Sequence, residues 1–182
     1  MMPSKYILSI AVFIALLSAC TTAPTPRYYL LDSGFEKGIQ KSYQKVTRVR
    51  LPSYLQTGSL VLQVGPQELR VASFHFWAES LEQGFERAFD MAFESTGQEG
   101  SSGKGSPRII VDVKRFHGDL TGKVSLVADW QAAMSCGNRE GSFTKTIAQT
   151  ESGYPALVAA QVRLVEMMAV DVGEKLESAL CL

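Results

Sequence analysis

Few side chains in this sequence are of the types that commonly catalyse reactions or bind metals. The histidines, His75 and His117, have no cysteine or carboxylate at metal-site spacing, and no His-Glu-x-x-His, Cys-x-x-Cys or Gly-x-Ser-x-Gly motif is present. Asp112 and Asp129 fall on polar positions of neighbouring predicted strands, which a solvated sheet face explains better than an acid–base pair. The sequence thus predicts no catalytic residue, no metal site and no cofactor, and two incidental surface or edge histidines.

Cys20 follows a segment with the regions of a secretion signal. Lys5 supplies a positive charge, and residues 7–17 are apolar except for one serine. This stretch is too short for a transmembrane helix, which needs about 20 apolar residues. The sequence Leu-Ser-Ala-Cys at residues 17–20 resembles the lipobox of bacterial lipoproteins. In such proteins the cysteine thiol receives diacylglycerol, the chain is cleaved before it, and the new amine is acylated.

The lipobox divides the chain into three parts. We expect residues 1–19 to be a cleaved signal, residues 20–26 a lipidated tether, and residues 27–182 a single periplasmic domain. Several acyl chains hold a protein stably at a membrane, whereas a single chain binds reversibly. Thr21, rather than an aspartate, follows the cysteine. By the same resemblance, this favours the periplasmic side of the outer membrane over the inner membrane.

The charge balance excludes a nucleic-acid-binding function. The sequence has 18 basic and 18 acidic residues, and removal of residues 1–19 takes away only Lys5. The mature chain therefore keeps 17 basic residues and a net charge of about −1. It lacks the basic surface that binds phosphate backbones or anionic headgroups. Membrane association must come from the lipid on Cys20.

Cys136 and Cys181 remain for other chemistry in an oxidising compartment. We expect them to form an intramolecular disulfide. On the chain-entropy model, closing a loop of this length, about 45 residues, stabilises the fold by roughly 4 kcal/mol. Two free thiols or a bond to another chain are the alternatives.

Hydrophobic periodicity predicts an α+β domain. Apolar residues recur at helical spacing over residues 81–92 and 158–179, and Pro155 suits the first turn of the second helix. The aromatic stripe Phe85, Phe89 and Phe93 is interpreted as core, with a lipid-binding groove as the alternative. Strands are predicted at residues 27–32, 46–51, 60–64 and 68–73, and, after a flexible Gly-rich loop at 96–106, around residues 109–113, 124–130 and a shorter 143–147. These elements predict one mostly antiparallel sheet with two main helices packed on one face.

Six segments together resemble the PqiC-type lipoproteins, also called ABC-type transport auxiliary lipoprotein components. The match runs over essentially the whole mature chain, although the Gly-rich loop at 97–106 and the cysteine pair lie outside the family pattern. The segments are Tyr-Tyr-x-Leu at 28–31, VTRVRLPSYL at 46–55, FWAESL at 76–81, FHG at 116–118, GKV at 122–124 before Trp130, and QTESGY at 149–154.

The resemblance implies a non-enzymatic accessory subunit of an intermembrane lipid-transport system that supports the cell envelope. The implied partners are an MCE-domain (PqiB-like) protein and inner-membrane transport components, and the resemblance also implies assembly of the subunits as a homo-oligomeric ring. The alternative is a structural envelope lipoprotein that binds peptidoglycan or assists outer-membrane protein assembly. Candidate anchors for a partner are Tyr54, Leu55, Phe76 and Trp77, which otherwise plug the ends of the sheet.

Overall fold

A computed structural model of the chain describes residues 24–31, 46–93, 108–134 and 137–177. These residues form seven strands, two α-helices and a short 3-10 helix at Ser53–Leu55. The strands are β1 (Arg27–Tyr29), β2 (Val46–Arg50), β3 (Ser59–Gly65), β4 (Glu68–Trp77), β5 (Arg108–Asp119), β6 (Lys123–Met134) and β7 (Gly137–Ala148). The helices are α1 (Leu81–Phe93) and α2 (Tyr154–Glu177). The predicted α+β class, with one mostly antiparallel sheet and two helices, is confirmed.

The seven strands form one sheet in the order β1-β4-β3-β5-β6-β7, with β2 also paired to β5. The longest ladders, β5–β6 and β6–β7, are antiparallel and make a meander. Along its other edge, β5 pairs in parallel with β2 at residues 109–112 and with β3 at residues 118–119. The strands β1, β4 and β3 therefore lie beside the end of β5, and β2 lies beside its start.

Alternation along β6 explains why one face of the sheet is covered. The side chains of Val124, Leu126, Ala128 and Trp130 are buried, whereas Asp129 between them is exposed. Since side chains of a strand alternate between faces, one face of the meander packs under the helices and the other is polar.

Both helices bury an apolar stripe. The Ser80 hydroxyl caps α1 by accepting a hydrogen bond from the Gln83 amide at 3.3 Å. Phe85 and Phe89 are fully buried, which confirms these two members of the aromatic stripe as core; the Phe93 side chain lies outside the described set. In α2 the predicted apolar positions pack on the sheet, and the buried ones are Leu157, Val158, Leu164, Val165, Met168, Ala169, Val172 and Leu176.

Several strand lengths differ from the predictions, and β5 runs to Asp119, six residues beyond its predicted end. β1 ends at Tyr29 instead of residue 32. β4 continues to Trp77, four residues beyond its predicted end, because β1 and β3 pair with its final residues. β7 has 12 residues and is not shorter than its neighbours, because every residue from Gly137 to Ala148 pairs with β6. In β4 and β7, pairing with neighbouring strands thus extended the strand beyond the residues whose own hydrophobic alternation predicted it.

Gly141 of β7 provides space for a large core side chain. It lies directly opposite Trp130 in the β6–β7 ladder. A Cβ atom at this position would lie 2.7 Å from Cζ2 of the Trp130 indole ring. Since Trp130 is 2% exposed, its ring has little room to move. The glycine of this outer strand is thus covered by an aromatic side chain of its neighbour.

We expect Gly141→Ala to destabilise the domain by about 1–3 kcal/mol, the usual cost of overpacking a core. The cost should shrink in a Trp130→Phe background, because phenylalanine lacks the Cζ2 and Nε1 atoms that the new methyl group would meet. Chemical denaturation of the four proteins of this double-mutant cycle measures the coupling. Ser142→Ala, an exposed change on the adjacent residue, serves as the control. Equal costs in both backgrounds would show that Trp130 does not limit this position.

Candidate functional site

The cysteines lie outside the described residues. Cys20, Cys136 and Cys181, together with the signal and the Gly-rich loop at 97–106, belong to segments that the structure does not describe. The lipid site and the disulfide therefore remain predictions.

The two aspartates of the polar sheet face lie opposite each other. Asp112 of β5 and Asp129 of β6 are direct partners in the ladder. Arg50 lies 3.5 Å from the Asp112 carboxylate, and Lys114 lies 3.9 Å from that of Asp129. Each carboxylate thus has its own basic neighbour on an open surface, as expected for a solvated sheet face.

His117 is buried, so its predicted place on the surface or at a sheet edge is wrong. It lies on β5, which is paired on both sides, and is only 6% exposed. Its ring meets the Tyr54 ring edge-on, with 6.0 Å between centroids. Burial lowers the pKa of His117, and the Arg115 charge adds to this, against the opposing effects of a Gly118 backbone hydrogen bond and the Asp119 carboxylate.

His75 joins the first strand to the second helix. Its Nδ1 lies 2.9 Å from the Tyr29 hydroxyl, and its ring stacks on Tyr154 with 3.8 Å between centroids. Desolvation, and then the positive charge of Arg27, lower the pKa of His75. The neutral ring therefore acts as a packing and hydrogen-bonding bridge between β1 and the start of α2.

Two of the four predicted interface anchors are core residues. Leu55 and Trp77 are 3% and 7% exposed, and the Trp77 ring stacks against Phe116. The prediction that these two residues anchor a partner is wrong, because they are not accessible at the surface. They instead pack in the core at the end of the sheet. Tyr54 and Phe76 are half-buried, so a partner contact at these two positions remains a prediction.

An open pocket of about 450 Å³ lies at the end of the sheet where β5 turns into β6 and β7 leads into α2. Leucine side chains from β3, the β5–β6 turn and α2 give it apolar walls, while the two loops supply polar groups. This volume is within the usual range for small-molecule sites. The lining residues are Leu62, residues 119–122, residues 148–154 and Leu157.

Asp119 shapes the turn at the pocket rim. One of its carboxylate oxygens accepts hydrogen bonds from the Thr121 amide at 2.8 Å and the Lys123 amide at 2.9 Å. Partial burial raises the pKa of Asp119, but these hydrogen bonds and the Lys123 charge outweigh it and hold the pKa below its ordinary value. Gly122 completes the three-residue turn with φ of 79°. The turn presents Leu120 with 67% of its surface exposed.

At Gly118, beneath the pocket, the neighbouring side chains leave no space for a Cβ atom. A Cβ atom there would lie 2.7 Å from Cδ1 of Leu157 and 3.4 Å from Nε2 of Gln149. The Gln149 backbone N–H donates a hydrogen bond to the Gly122 carbonyl oxygen at 2.8 Å, which ties the two loops together. Close packing against a glycine thus fixes the pocket floor between β5 and α2.

No sequence pattern pointed to this pocket, because its walls come from segments far apart in the chain. Three of the segments that resemble the lipoprotein family nevertheless converge on it. FHG at 116–118 ends at its floor, GKV at 122–124 begins in its turn, and QTESGY at 149–154 forms its second loop.

Within the described ranges, no helix combines the length and apolar character required to cross a bilayer. Nor do any three His, Cys, Asp or Glu side chains of these ranges come together as metal ligands.

The fold and the pocket define a two-layer α+β domain with an open recess at one end of its sheet. A family model for the ABC-type transport auxiliary lipoprotein component matches residues 29–173. The chain therefore belongs to this family of auxiliary lipoproteins, and the resemblance of its sequence motifs is confirmed. The family is an auxiliary component of transport and not a known class of enzyme.

Two solved structures share the fold. The crystal structure of an uncharacterized protein aligns with a TM-score of 0.71 and 19% identity, over 84% of this chain and 99% of its own. Protein XCC0632 from Xanthomonas campestris, of the family DUF330, aligns with a TM-score of 0.55 and 19% identity, over 87% of this chain and 100% of its own. At this identity the likeness concerns the fold alone. A search among curated proteins finds no match.

We expect acid to destabilise the domain through its histidines. Because folding lowers the pKa of His75 and His117, the unfolded chain binds protons more readily once the pH falls below about 6.5. The contribution of the two histidines to the free energy of unfolding is fully present above about pH 6.5 and is lost as the pH falls from there through the folded-state pKa values. Denaturation at about pH 7.5 and about pH 5 measures the loss.

The control for this prediction is the double variant His75→Gln/His117→Gln. It should be less stable than the parent protein near neutral pH, because it loses the Tyr154 stacking and the Tyr54 contact. Its stability should nevertheless fall less on acidification. An equal fall in both proteins would mean that other groups cause the acid sensitivity.

Proposed function

We propose that this protein is an outer-membrane lipoprotein, facing the periplasm, that serves as a non-enzymatic accessory subunit of an MCE/ABC-type intermembrane lipid-transport system. The observation that supports this is the family match over residues 29–173, which begins at the last residue of β1 and covers the other six strands and most of α2. In this proposal the domain acts through binding, and its partner is an MCE-domain protein.

The proposed anchor is the lipid on Cys20. The lipobox sequence at residues 17–20 supports acylation, and Thr21 supports retention in the outer membrane. The described chain begins at Pro24 and enters β1 at Arg27. A short tether of this kind holds the domain close to the membrane surface, because an extended residue spans at most about 3.6 Å.

The proposed partner contact is centred on Tyr54. Its ring is half-buried, and its hydroxyl donates to the Lys114 carbonyl at 3.4 Å. Phe76, the other anchor with partial exposure, is already stacked against Tyr28 with 5.6 Å between centroids. Aromatic side chains held by their neighbours lose little entropy on binding and are common at the centres of interfaces. Assembly of several subunits into a ring is part of the same proposal.

We expect Cys20→Ala to abolish lipidation and to move most of the protein out of the membrane fraction, since several acyl chains give stable anchoring. Labelling with a radioactive or clickable palmitate, followed by membrane fractionation, measures both effects. Cys136→Ala should keep its lipid and its membrane location, which controls for loss of a cysteine. If Cys20→Ala protein stays in the membrane fraction, the anchor lies elsewhere.

Purification from native membranes tests the transport role. We expect the lipidated protein to retain an MCE-domain protein and inner-membrane transport components, with Tyr54→Ala weakening retention by about tenfold if it is a central contact. Ser53→Ala, an exposed change beside it, should retain the partner. The mass of the complex reports the number of subunits. Recovery of peptidoglycan or of outer-membrane assembly factors instead would favour the structural alternative.

A further inference from the structure

Exposed apolar side chains are concentrated at one end of the molecule. Among the described residues, seven large apolar side chains are exposed, and six of them belong to β1 and its exit, β4, or the β5–β6 turn. We call these six the apolar end. They are Tyr28, Leu30, Leu69, Val71, Phe74 and Leu120.

The apolar end is a coherent region and not a scatter of single residues. Both β4 and the β5–β6 turn are joined through β3, because Leu62 pairs with Gly118 and with Arg70. The side chain of Tyr29, which follows Tyr28, lies on the other face of β1. There its hydroxyl contacts His75, and the His75 ring stacks on Tyr154 at the pocket. The first strand, the pocket and the start of α2 are thus held at the same end.

The exposure within this region is large. Tyr28 is 66% exposed and Leu120 is 67% exposed. Single exposed apolar residues are normal on protein surfaces, but a concentration of them marks a binding surface. Tyrosine is suited to a membrane interface, because its ring is apolar and its hydroxyl can remain in the hydrated headgroup layer.

The position of the tether identifies what covers this surface. Cys20 lies seven residues before Arg27, so fully extended chain allows at most about 25 Å between the lipid and β1. The helix α2 has 24 residues and is about 36 Å long. Since α2 starts at the pocket, the tether keeps the apolar end near the bilayer, and the last turn of α2 is directed away from it.

We propose that the apolar end rests in the interfacial layer of the same bilayer that holds the Cys20 lipid. This inference rests on the lipid anchor of the proposed function. The anchor makes the contact intramolecular, so even a weak insertion is populated. The surrounding charges are mixed, with Arg27, Arg70 and Lys123 balanced by Glu68, Asp119 and Glu151, so apolar contact and not headgroup charge provides the attraction. The pocket rim at Leu120 then lies at the lipid surface.

The test uses full-length lipidated protein in vesicles of phosphatidylethanolamine and phosphatidylglycerol, with lipids brominated in their acyl chains as quenchers. In Tyr28→Trp, we expect the added emission to fall by about half, because interfacial tryptophans settle at the headgroup boundary. In the matched control, Glu140→Trp, an exposed position at the other end of β7, opposite Gln131, the emission should be unchanged. The parent protein gives the background from Trp77 and Trp130.

The possible results distinguish this inference from the lipid anchor at Cys20, on which it rests. Quenching at position 28 alone, retained in high salt, supports the proposal. If vesicles float with the protein but position 28 is not quenched, the anchor stands and the inference is overturned. If the protein does not float with vesicles, both fail. If Tyr28→Ser/Leu120→Ser stays lipidated but loses its co-purified protein partner, the apolar end is a protein interface and the inference is again overturned.

Discussion

Phe116 lies where the sheet meets both helices, and the arrangement of the rest depends on its packing. Its ring meets Phe85 of α1 edge-on, with 4.9 Å between centroids, and stacks on Trp77 of β4 with 6.4 Å between centroids. Its backbone oxygen accepts a hydrogen bond from the buried Gln161 side chain of α2 at 3.5 Å. One residue of the central strand thus fixes the position of three elements that are distant in sequence.

The three residues after Phe116 build the end of the molecule that contains the pocket. His117 is buried beside Tyr54, Gly118 accommodates Leu157 of α2, and Asp119 organises the turn at the pocket rim. Because β5 is paired on both edges here, a shift at any of these positions would be transmitted to both β3 and β6. Core packing and pocket geometry are therefore determined by the same short segment.

The first strand supplies the second constraint. Tyr29 reaches His75, and the Ala78 amide donates to the Tyr29 carbonyl at 2.8 Å. Beyond the strand, Leu31 is 2% exposed and packs on Gly84 of α1, where a Cβ atom would lie 3.0 Å from the Leu31 Cβ. Three residues of strand would hold weakly by themselves. The contacts on both sides of β1 fix the point at which the predicted tether, residues 20–26, would join the folded domain.

Local patterns in the sequence predicted most elements but could not predict their neighbours. Alternation at Leu60, Leu62 and Val64 located β3, and helical spacing located both helices, because burial imposes these periods directly. The aromatic residues at 74–77 were misleading, since their exposure depends on which strands pair with them. Trp77 became core beside Phe116, whereas Phe74 stayed 39% exposed. The pocket could not be predicted from the sequence for the same reason, because it forms only when β3, β5 and α2 are brought together.

The polarity of the outer sheet face matters for the proposed lipid-anchored state, because the chain has almost no net charge. On the outer face of the meander, the Ser125 and Thr146 hydroxyls are hydrogen-bonded at 2.8 Å, and Asp112 and Asp129 have basic neighbours. That surface is well hydrated and has no reason to contact lipid. With no large net charge to orient the molecule electrostatically, its orientation at a membrane must follow from where the chain is attached and where apolar surface is exposed. In the proposed lipid-anchored state, the attachment point and the exposed apolar side chains both lie at the end that contains β1 and the pocket, so both would favour the same orientation.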